Sequence, residues 1–378
     1  MGVDIDFQKI RNEFPAFQQK IFGKPLVYLD SGATTLKPKC VIDRLTQFYS
    51  FETANVHRGA HFLSDQATSH YEEARGRVQK FLNAKLPEEI VFVRGTTEGI
   101  NLVAQCACKG IIQHGNEVII SEMEHHANIV PWQILTQEIG LKLKIIPMSK
   151  DGELLEEEFL RLLTPNTKFV SLVHCSNTLG TINDIKKYID QAHSVGAKVL
   201  IDGAQMVSSH PVNVQDLDCD FYVFSGHKIF APFGIGVVYG KYDLWQSLPP
   251  YQGGGSMISE VKFDHTTYQE APHKFEAGTP AVAEAIALKS ALDFVDSIGL
   301  DNISKYEKKL LDYATSKLCQ IPAAQIIGKS PSKTNILTFV MDGVNSSDLG
   351  SIVNQDGIAI RAGHHCTQPL HRRLGLSV

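Results

Sequence analysis

The sequence Phe221-Tyr-Val-Phe-Ser-Gly-His-Lys228 joins an apolar run to a lysine that follows it closely. The run is bounded by Ser225 and Gly226, and it is typical of a buried strand. A lysine just past the end of such a strand needs a reason, because burying its charge is costly. A second run, Lys198-Val-Leu-Ile-Asp202, has the same character but ends in an acid.

A strand-end acid and a strand-end lysine together suit the cofactor pyridoxal phosphate (PLP). The amine of Lys228 would form a Schiff base with the cofactor's aldehyde. The carboxylate of Asp202 would keep the pyridine nitrogen protonated, so that the ring can draw electrons from a substrate carbanion. The alternative is that Lys228 extends its amine to the surface and Asp202 caps a helix. The two runs alone leave both interpretations open.

Apolar runs alternate with helical patterns through the middle of the chain, which indicates an α/β fold with a mostly parallel sheet flanked by helices. The predicted strands are Glu89–Val93, Glu117–Ile120, Leu143–Ile146, Lys168–Val173, Val199–Ile201 and Phe221–Phe224. The predicted helices between them run from Glu98 to about Cys108, over Ile129–Glu138 and over Ile185–Val195. Gly234–Tyr239 follows Lys228 after a short turn, which favours an antiparallel neighbour and therefore a mixed sheet.

The pattern changes in the last third of the chain. Met257–Gly278 has weak periodicity and predicts an extended excursion, which a strongly helical stretch over Val282–Ile298 follows. A helix over Ser304–Leu318 and a strand over Asn335–Val340 indicate a second unit. We therefore predict a large domain of residues 20–280 and a smaller α+β domain of residues 1–19 and 281–378.

Composition and charge exclude several classes of protein. The 378 residues include 43% hydrophobic and 20% charged residues, and the formal net charge is −5 with scattered Lys and Arg. These values indicate no basic surface that would bind nucleic acid or an anionic membrane. No apolar run approaches membrane-spanning length. The seven cysteines are scattered and include no CxxC pair, so we expect reduced thiols in a cytoplasm.

Two further motifs follow predicted strands. Gly95-Thr96-Thr97 meets a helix N-terminus, where free N–H groups and the helix dipole favour an anion such as a phosphate; simple N-capping by threonine is the alternative. In Glu124-His125-His126, an imidazole could stack on a pyridine ring and handle protons at neutral pH. A zinc ligand pair is the rival interpretation, although no HExxH spacing is present, and a surface pair without a role is also common.

The loop Arg361-Ala-Gly-His-His-Cys366 follows the short predicted strand Gly357–Ile360. A loop cysteine flanked by glycine, histidines and arginine has the setting of an activated thiol, because nearby cations favour the thiolate. A His-His-Cys zinc site is the competitor, but no second ligand cluster with suitable spacing follows. A structural cysteine would more often lie within an apolar helix or strand. We favour a reactive thiol.

Taken together, the motifs closely resemble the SufS-type cysteine desulfurases, PLP enzymes of the class V aminotransferase group, over almost the whole chain. The resemblance implies the PLP-dependent transferase fold type I. The matching segments are Tyr28-Leu-Asp-Ser31, Val56-His-Arg-Gly59, Arg94 to Asn101, Met123 to Trp132, Asp202-Gly-Ala-Gln205, Ser225-Gly-His-Lys228, Gly253 to Met257, Phe275 to Pro280 and Arg361 to Cys366.

The resemblance implies a role for each matching residue. Lys228 is the Schiff-base lysine and a proton carrier, Asp202 pairs with the pyridine nitrogen, and Cys366 is the nucleophile that takes sulfur from the substrate. The other implied positions are Gln205 at the ring hydroxyl, His125 stacked on the ring, Thr97, Ser225 and His227 at the phosphate together with Thr279 of the partner subunit, and Asn177 and Arg361 beside the substrate. The resemblance implies no metal.

The implied activity converts L-cysteine to L-alanine and leaves the sulfur as a persulfide on Cys366, for iron–sulfur cluster assembly. The compact Gly-His-His-Cys loop implies a SufE-like or SufU-like acceptor protein, and the family implies a homodimer. A selenocysteine lyase on the same scaffold is one alternative. A non-catalytic form that docks a sulfur acceptor is another, and a plain PLP transaminase would leave Cys366 unexplained.

The chain ends at Val378, 12 residues after Cys366. Members of the resembled family continue through further strands and a helix, which carry an arginine that clamps the substrate carboxylate. No residue here matches that arginine, and its role is not transferred to Arg361. We therefore expect that the small domain is C-terminally incomplete because the sequence is a fragment, or else that substrate binding is impaired. We also expect this form to be poorly soluble or weakly active.

Overall fold

The computed structural model describes residues 5–376. Its helices within this range are α1 (Phe7–Asn12), α2 (Lys39–Gln47), α3 (Phe62–Phe81), α4 (Thr96–Gly110), α5 (Val130–Ile139), α6 (Glu156–Leu162), α7 (Ile185–Ser194), α8 (Val214–Leu217), α9 (Tyr242–Ser247), α10 (Val282–Ile298), α11 (Leu300–Leu318), α12 (Ser346–Asn354) and α13 (Gln368–Arg373). Its strands are β1 (Lys20–Ile21), β2 (Lys24–Pro25), β3 (Val27–Tyr28), β4 (Ile90–Val93), β5 (Glu117–Ser121), β6 (Lys142–Ile146), β7 (Thr167–Val173), β8 (Lys198–Asp202), β9 (Phe221–Ser225), β10 (Gly236–Gly240), β11 (Ile258–Val261), β12 (Thr266–Tyr268), β13 (Ala324–Ile327), β14 (Thr338–Met341) and β15 (Ile358–Ala359).

A seven-stranded sheet forms the centre of the molecule, with the strand order β4-β10-β9-β8-β7-β5-β6. β10 runs antiparallel to both of its neighbours, and the pairs among β9, β8, β7, β5 and β6 are parallel. The prediction of an α/β fold with a mixed, mostly parallel sheet is therefore confirmed. The antiparallel placement of the strand after Lys228 is confirmed as well, because its turn is too short for a parallel crossover.

The sheet is covered on both faces, which explains why its strands are continuous apolar runs. In β9, Tyr222 and Phe224 belong to one apolar core, whereas Phe221 and Val223 belong to the other, as the alternation of side chains along a strand requires. Helices α3, α7 and α10 complete the first core, and α4, α5 and α9 complete the second. This two-sided burial holds the carboxyl ends of the parallel strands in place.

Some predicted boundaries differ from the structure. Helix α4 begins at Thr96 rather than Glu98, because Gly95 serves as its N-cap. The segment predicted as an extended excursion contains the antiparallel hairpin β11–β12. The strand predicted over Asn335–Val340 is shorter at its start, because β14 begins at Thr338, where pairing with the four residues of β13 starts.

The parts assigned to the smaller domain contact one another and the large core. The Phe7 ring of α1 stacks on Tyr306 of α11 at a centroid distance of 3.7 Å, and β15 pairs in parallel with β3. Helix α10 packs against α2 and α3 within the first core. The division at residues 19 and 280 stays a prediction. No helix in the described range is both long enough and apolar enough to cross a membrane.

Candidate active site

A cavity of about 200 Å³ opens at the carboxyl ends of β8 and β9. Its lining includes nine of the side chains predicted from the sequence: Thr97, His125, Asn177, Asp202, Gln205, Ser225, His227, Lys228 and Arg361. Positions separated by more than 200 residues in the chain therefore meet in one place. Ligands of open α/β sheets bind at this edge, since the parallel strands present their ends there.

Asp202 and Lys228 lie on adjacent strand ends. Asp202 is the last residue of β8 and is buried, whereas Lys228 ends the short 3-10 turn that follows β9. Burial raises the pKa of Asp202, an effect that the Ala204 N–H and the Lys228 charge oppose. Burial lowers the pKa of Lys228, and the Asp202 carboxylate opposes that shift. The arrangement combines a shielded acid with an amine poised to act as a nucleophile.

The orientation of Asp202 depends on the residues around it. Its Oδ1 accepts a hydrogen bond from Ala204 N at 3.0 Å, and its backbone oxygen accepts one from His174 N at 2.8 Å. The His174 Nδ1 lies 2.9 Å from the hydroxyl of Tyr222, whose ring packs against Gly203. A Cβ at position 203 would lie 2.0 Å from that ring, so only glycine allows this approach.

The N-terminus of α4 forms the opposite end of the cavity. The Ser225 Oγ accepts a hydrogen bond from Thr96 N at 2.8 Å, and the two side-chain hydroxyls lie 2.8 Å apart. Thr97 also lines the cavity, although its side chain is exposed. The sequence motif singled out Thr97 and overlooked Thr96, whose contact with Ser225 depends on the pairing of distant strands. Hydroxyls and free N–H groups at a helix N-terminus form an anion site.

His125 projects from the loop after β5. Its Nδ1 accepts a hydrogen bond from Ala127 N at 3.1 Å, and burial together with the charges of Lys228, His126 and Arg361 lowers its pKa to about 4. The ring is therefore neutral at physiological pH. A neutral planar ring at a cavity wall can stack on a flat ligand.

The neighbouring Glu124 is fully buried and is not part of the cavity lining. It accepts hydrogen bonds from Ser121 Oγ, Asn128 Nδ2 and Val173 N at 2.5, 2.7 and 3.0 Å. Burial raises its pKa to about 8, and these three hydrogen bonds oppose the rise. The network ties the loop that carries His125 to strand β7.

Three residues connect the cavity to the Cys366 loop. Asn177 Nδ2 donates to the backbone oxygen of His365 at 2.7 Å, and His126 N donates to that of Cys366 at 2.8 Å. The Arg361 Nη2 lies 3.8 Å from the Cys366 Sγ. Cys366 itself is half-buried and lies beside the cavity lining rather than within it. A guanidinium therefore lies next to a partly accessible sulfur, and the reactive role of this thiol stays a prediction.

Two polar atoms of cavity-lining residues are buried without a hydrogen-bond partner in the described part of the chain. Within residues 5–376, the buried Asn177 Oδ1 and His227 Nδ1 have no hydrogen-bond partner, and both residues line the cavity. Buried polar groups without partners are costly, so a polar ligand would satisfy them. Cys175, which the sequence did not single out, also lines the wall.

Two expectations from the sequence concern features other than this cavity. Thr279 is exposed and does not line it, so its predicted role from a partner subunit stays a prediction. Among the residues that the structure describes, no group of three or more His, Cys, Asp or Glu side chains is arranged to hold a metal ion. All seven cysteines, which lie in that range, are free thiols.

Comparisons with known proteins find relatives over almost the whole chain. The aminotransferase class-V family model matches residues 27–378. A cysteine desulfurase of Synechococcus elongatus is 50% identical over 375 residues, which are 99% of this chain and 60% of that protein. A cysteine desulfurase of Dickeya dadantii is 49% identical over 369 residues, 97% of this chain and 89% of that protein.

A solved structure of a cysteine desulfurase is also similar to this chain. The crystal structure of the cysteine desulfurase CsdA from Escherichia coli superposes with a TM-score of 0.90 at 40% identity, covering 98% of this chain and 92% of that one. The chain spans about 60% of the length of the Synechococcus protein.

Proposed function

The chain belongs to the class-V aminotransferase family, and we propose that it acts as a SufS-type cysteine desulfurase, which removes sulfur from L-cysteine and leaves L-alanine. The observation that carries the proposal is the half-buried Cys366 thiol beside a cavity that holds Lys228 and Asp202 at adjacent strand ends. A transaminase would need the cavity residues but would leave the thiol and its neighbouring guanidinium unexplained.

Pyridoxal phosphate is the cofactor of this family, and the cavity residues fit it. When bound, it supplies an aldehyde that captures amines and a ring that withdraws electrons from the substrate's α-carbon. Buried Asp202 suits the pyridine nitrogen, and the Thr96–Ser225 hydroxyl pair at the N-terminus of α4 suits the phosphate. The unpartnered nitrogen of His227 suits the same end.

We assign the remaining cavity residues by their positions. Lys228 holds the cofactor through its amine and later carries the substrate's α-proton at Nζ. Neutral His125 would cover the face of the cofactor ring, and Gln205, whose Nε2 donates to Gly32 O at 2.7 Å, would contact the ring hydroxyl. Asn177 lies between the cavity and the Cys366 loop, where a substrate would also lie.

Cys366 performs the sulfur transfer in this proposal. Its thiolate attacks the sulfur of the substrate, so that a new S–S bond forms and the C–S bond of the substrate breaks. The guanidinium of Arg361 lies beside this sulfur, and the thiolate is the reactive form of cysteine. The product on the protein is a persulfide. The electron pair of the broken C–S bond stays on the substrate carbon, which takes up a proton, so that the carbon skeleton leaves as alanine.

The resemblance supports several further parts of the proposal. A SufE-like or SufU-like protein would accept the persulfide sulfur, which would then enter iron–sulfur cluster assembly in the cytoplasm. The chain would act as a homodimer, in which each subunit supplies Thr279 to the phosphate end of the other's cavity. The exposure of Thr279 leaves it accessible for that role.

Mass spectrometry after incubation with L-cysteine tests the reaction and the residue together. We expect one added sulfur on the peptide that contains Cys366 and none on the peptide of exposed Cys319, which serves as the matched control. The Cys366→Ala variant should bind PLP but release no sulfur from cysteine. Sulfur release from cysteine by that variant would show that the desulfurase assignment is wrong. Release from selenocysteine alone would favour a selenocysteine lyase.

A further inference from the structure

One backbone oxygen beside the cavity receives an unusual number of hydrogen bonds. The carbonyl oxygen of His227 accepts from Thr34 Oγ1 at 3.2 Å, from Thr35 N at 3.0 Å and from Thr35 Oγ1 at 3.0 Å. Lys37 Nζ is a fourth donor, also at 3.0 Å. A carbonyl oxygen has two lone pairs, so four donors exceed what it needs for satisfaction. The segment 34–37 therefore fixes the peptide group between His227 and Lys228 from outside the cavity.

The peptide that is held matters because it links His227 to Lys228. Both residues belong to the 3-10 turn Gly226–Lys228, and both side chains line the cavity. The Thr35 hydroxyl also accepts a hydrogen bond from Phe230 N at 2.8 Å, so the same segment holds the chain on both sides of Lys228. The orientation of this turn determines where the amine of Lys228 and the ring of His227 point.

Lys37 is the charged member of the four donors and is partly shielded from water. Its Nζ lies 5.2 Å from the centroid of the Phe233 ring, and that ring stacks on His227 at a centroid distance of 5.6 Å. Burial lowers the pKa of Lys37 to about 8. Because a charged donor makes a stronger hydrogen bond than a neutral one, Lys37 contributes more to holding the carbonyl than either threonine.

The charge of Lys37 also acts on the His227 ring. Burial lowers the pKa of His227 to about 4, and the charges of Lys228 and Lys37 add to that shift. A neutral His227 ring keeps its buried Nδ1 able to act as donor or acceptor according to its tautomer, and this nitrogen has no partner within the described residues.

We propose that Lys37 is a positioning residue for pyridoxal phosphate, which holds the His227–Lys228 peptide through the carbonyl oxygen of His227 and places its charge beside the stacked Phe233 and His227 rings. The inference rests on the proposed function, since it concerns the same cavity. Lys37 does not line the cavity, so its effect passes through residues 227 and 228.

The test compares three variants of the full chain. Lys37→Met removes the charge and keeps the length, Lys37→Arg keeps the charge, and Lys39→Met is the matched control. Lys39 lies two residues away on α2 with an exposed side chain that pairs with Asp43. Each apo protein is titrated with PLP, and its visible absorbance and its urea unfolding without PLP are measured.

We expect Lys37→Met to bind PLP about tenfold more weakly, because one charge-assisted hydrogen bond is lost. Lys37→Arg should stay within about threefold of the original chain, and Lys39→Met should match it. Unfolding of the apo proteins should differ little. Unchanged affinity in Lys37→Met would overturn the inference. So would a loss of affinity that only parallels a loss of apo-protein stability, since that would be a purely structural role.

A second readout requires no enzyme activity. Histidine resonances of the apo protein are titrated by NMR, and a His227→Gln variant identifies the signal of His227. In Lys37→Met this signal should titrate at a higher pH than in the original chain, because a nearby positive charge has been removed. An unchanged titration would overturn the electrostatic half of the inference. Failure of the original chain to bind PLP would instead overturn the proposed function.

Discussion

The two chemical parts of the site are held by different kinds of structure. Asp202 and Lys228 sit at the ends of two central strands, and the strands are buried on both faces. Cys366 lies on a loop whose Arg361 is exposed. The first part is fixed by the sheet, because moving it would require breaking two apolar cores. The second part is held by a few hydrogen bonds at its edges.

The backbone of the Cys366 loop differs from that of the strands as well. His365 and Cys366 both have left-handed conformations, with φ values of 51° and 59°. Such conformations are costly for residues with side chains and persist where surrounding contacts impose them. Here, Asn177 and His126 supply those contacts by donating to the two backbone oxygens. The cofactor site is thus held by buried strands, whereas the thiol is held by a loop that touches the cavity through Asn177 and Arg361.

Removing the strand-end amine should have the largest effect. Lys228→Ala should lower cysteine turnover by about 10³-fold or more, because this side chain supplies both the bond to the cofactor and the proton carrier. Alanine formation and the visible absorbance of the purified protein measure the two roles. Lys305→Ala, which changes an exposed lysine of α11, is the control and should leave both unchanged. Full turnover in Lys228→Ala would show that the active site does not lie at this edge of the sheet.

Adding a side chain at Gly203, next to the strand end that carries Asp202, should lower the stability of the protein. Gly203→Ala should lower the free energy of unfolding by about 2 kcal/mol, because the new Cβ would overlap the Tyr222 ring. That ring cannot easily move, since it is fully buried and its hydroxyl is bonded to His174. Urea unfolding measures the change. Gly76→Ala on α3, where an added Cβ meets no atom within 4 Å, should be neutral or slightly stabilising. Equal stability of the two variants would contradict the rigidity argued for this side.

Changing the loop side should have the smallest effect, and it should be confined to the thiol. Arg361→Gln should slow alkylation of Cys366 by iodoacetamide about threefold at neutral pH, because the guanidinium near Sγ is lost. Mass spectrometry follows the reaction, and exposed Cys319 in the same sample is the internal reference. The thermal stability should change little, because Arg361 is exposed. Unaltered alkylation of Cys366 would mean that Arg361 does not activate this thiol.

Much of the fold could be predicted because two-sided burial leaves a clear trace in sequence. The runs at Phe221–Phe224 and Val199–Ile201 are continuous apolar stretches, and both are central strands. The polar residues that end them line the cavity, because parallel strands end at the same edge of a sheet. The loop cysteine could be singled out by its glycine, histidine and arginine neighbours alone.

Other parts of the site carry no local pattern. Thr96 acquires its contact only because β9 brings Ser225 to the start of α4. Lys37 lies between Leu36 and Pro38 in a segment without a distinctive pattern, and its contact is with a carbonyl oxygen 190 positions away. Cys175 belongs to the first apolar core and also lines the cavity wall. Each of these contacts joins segments that are distant in the chain, so no spacing or composition records them.

The order of residues along the chain was enough to establish an α/β architecture, the acid and lysine at two strand ends, and a cysteine in a cationic loop, since burial and strand periodicity act locally. Tertiary packing alone decided which threonine meets Ser225, how the 227–228 peptide is held, and that Cys366 lies beside the cavity rather than in it. These features are set by strand register and by side chains that meet across the molecule, and distances of that kind exist only once the cores have formed.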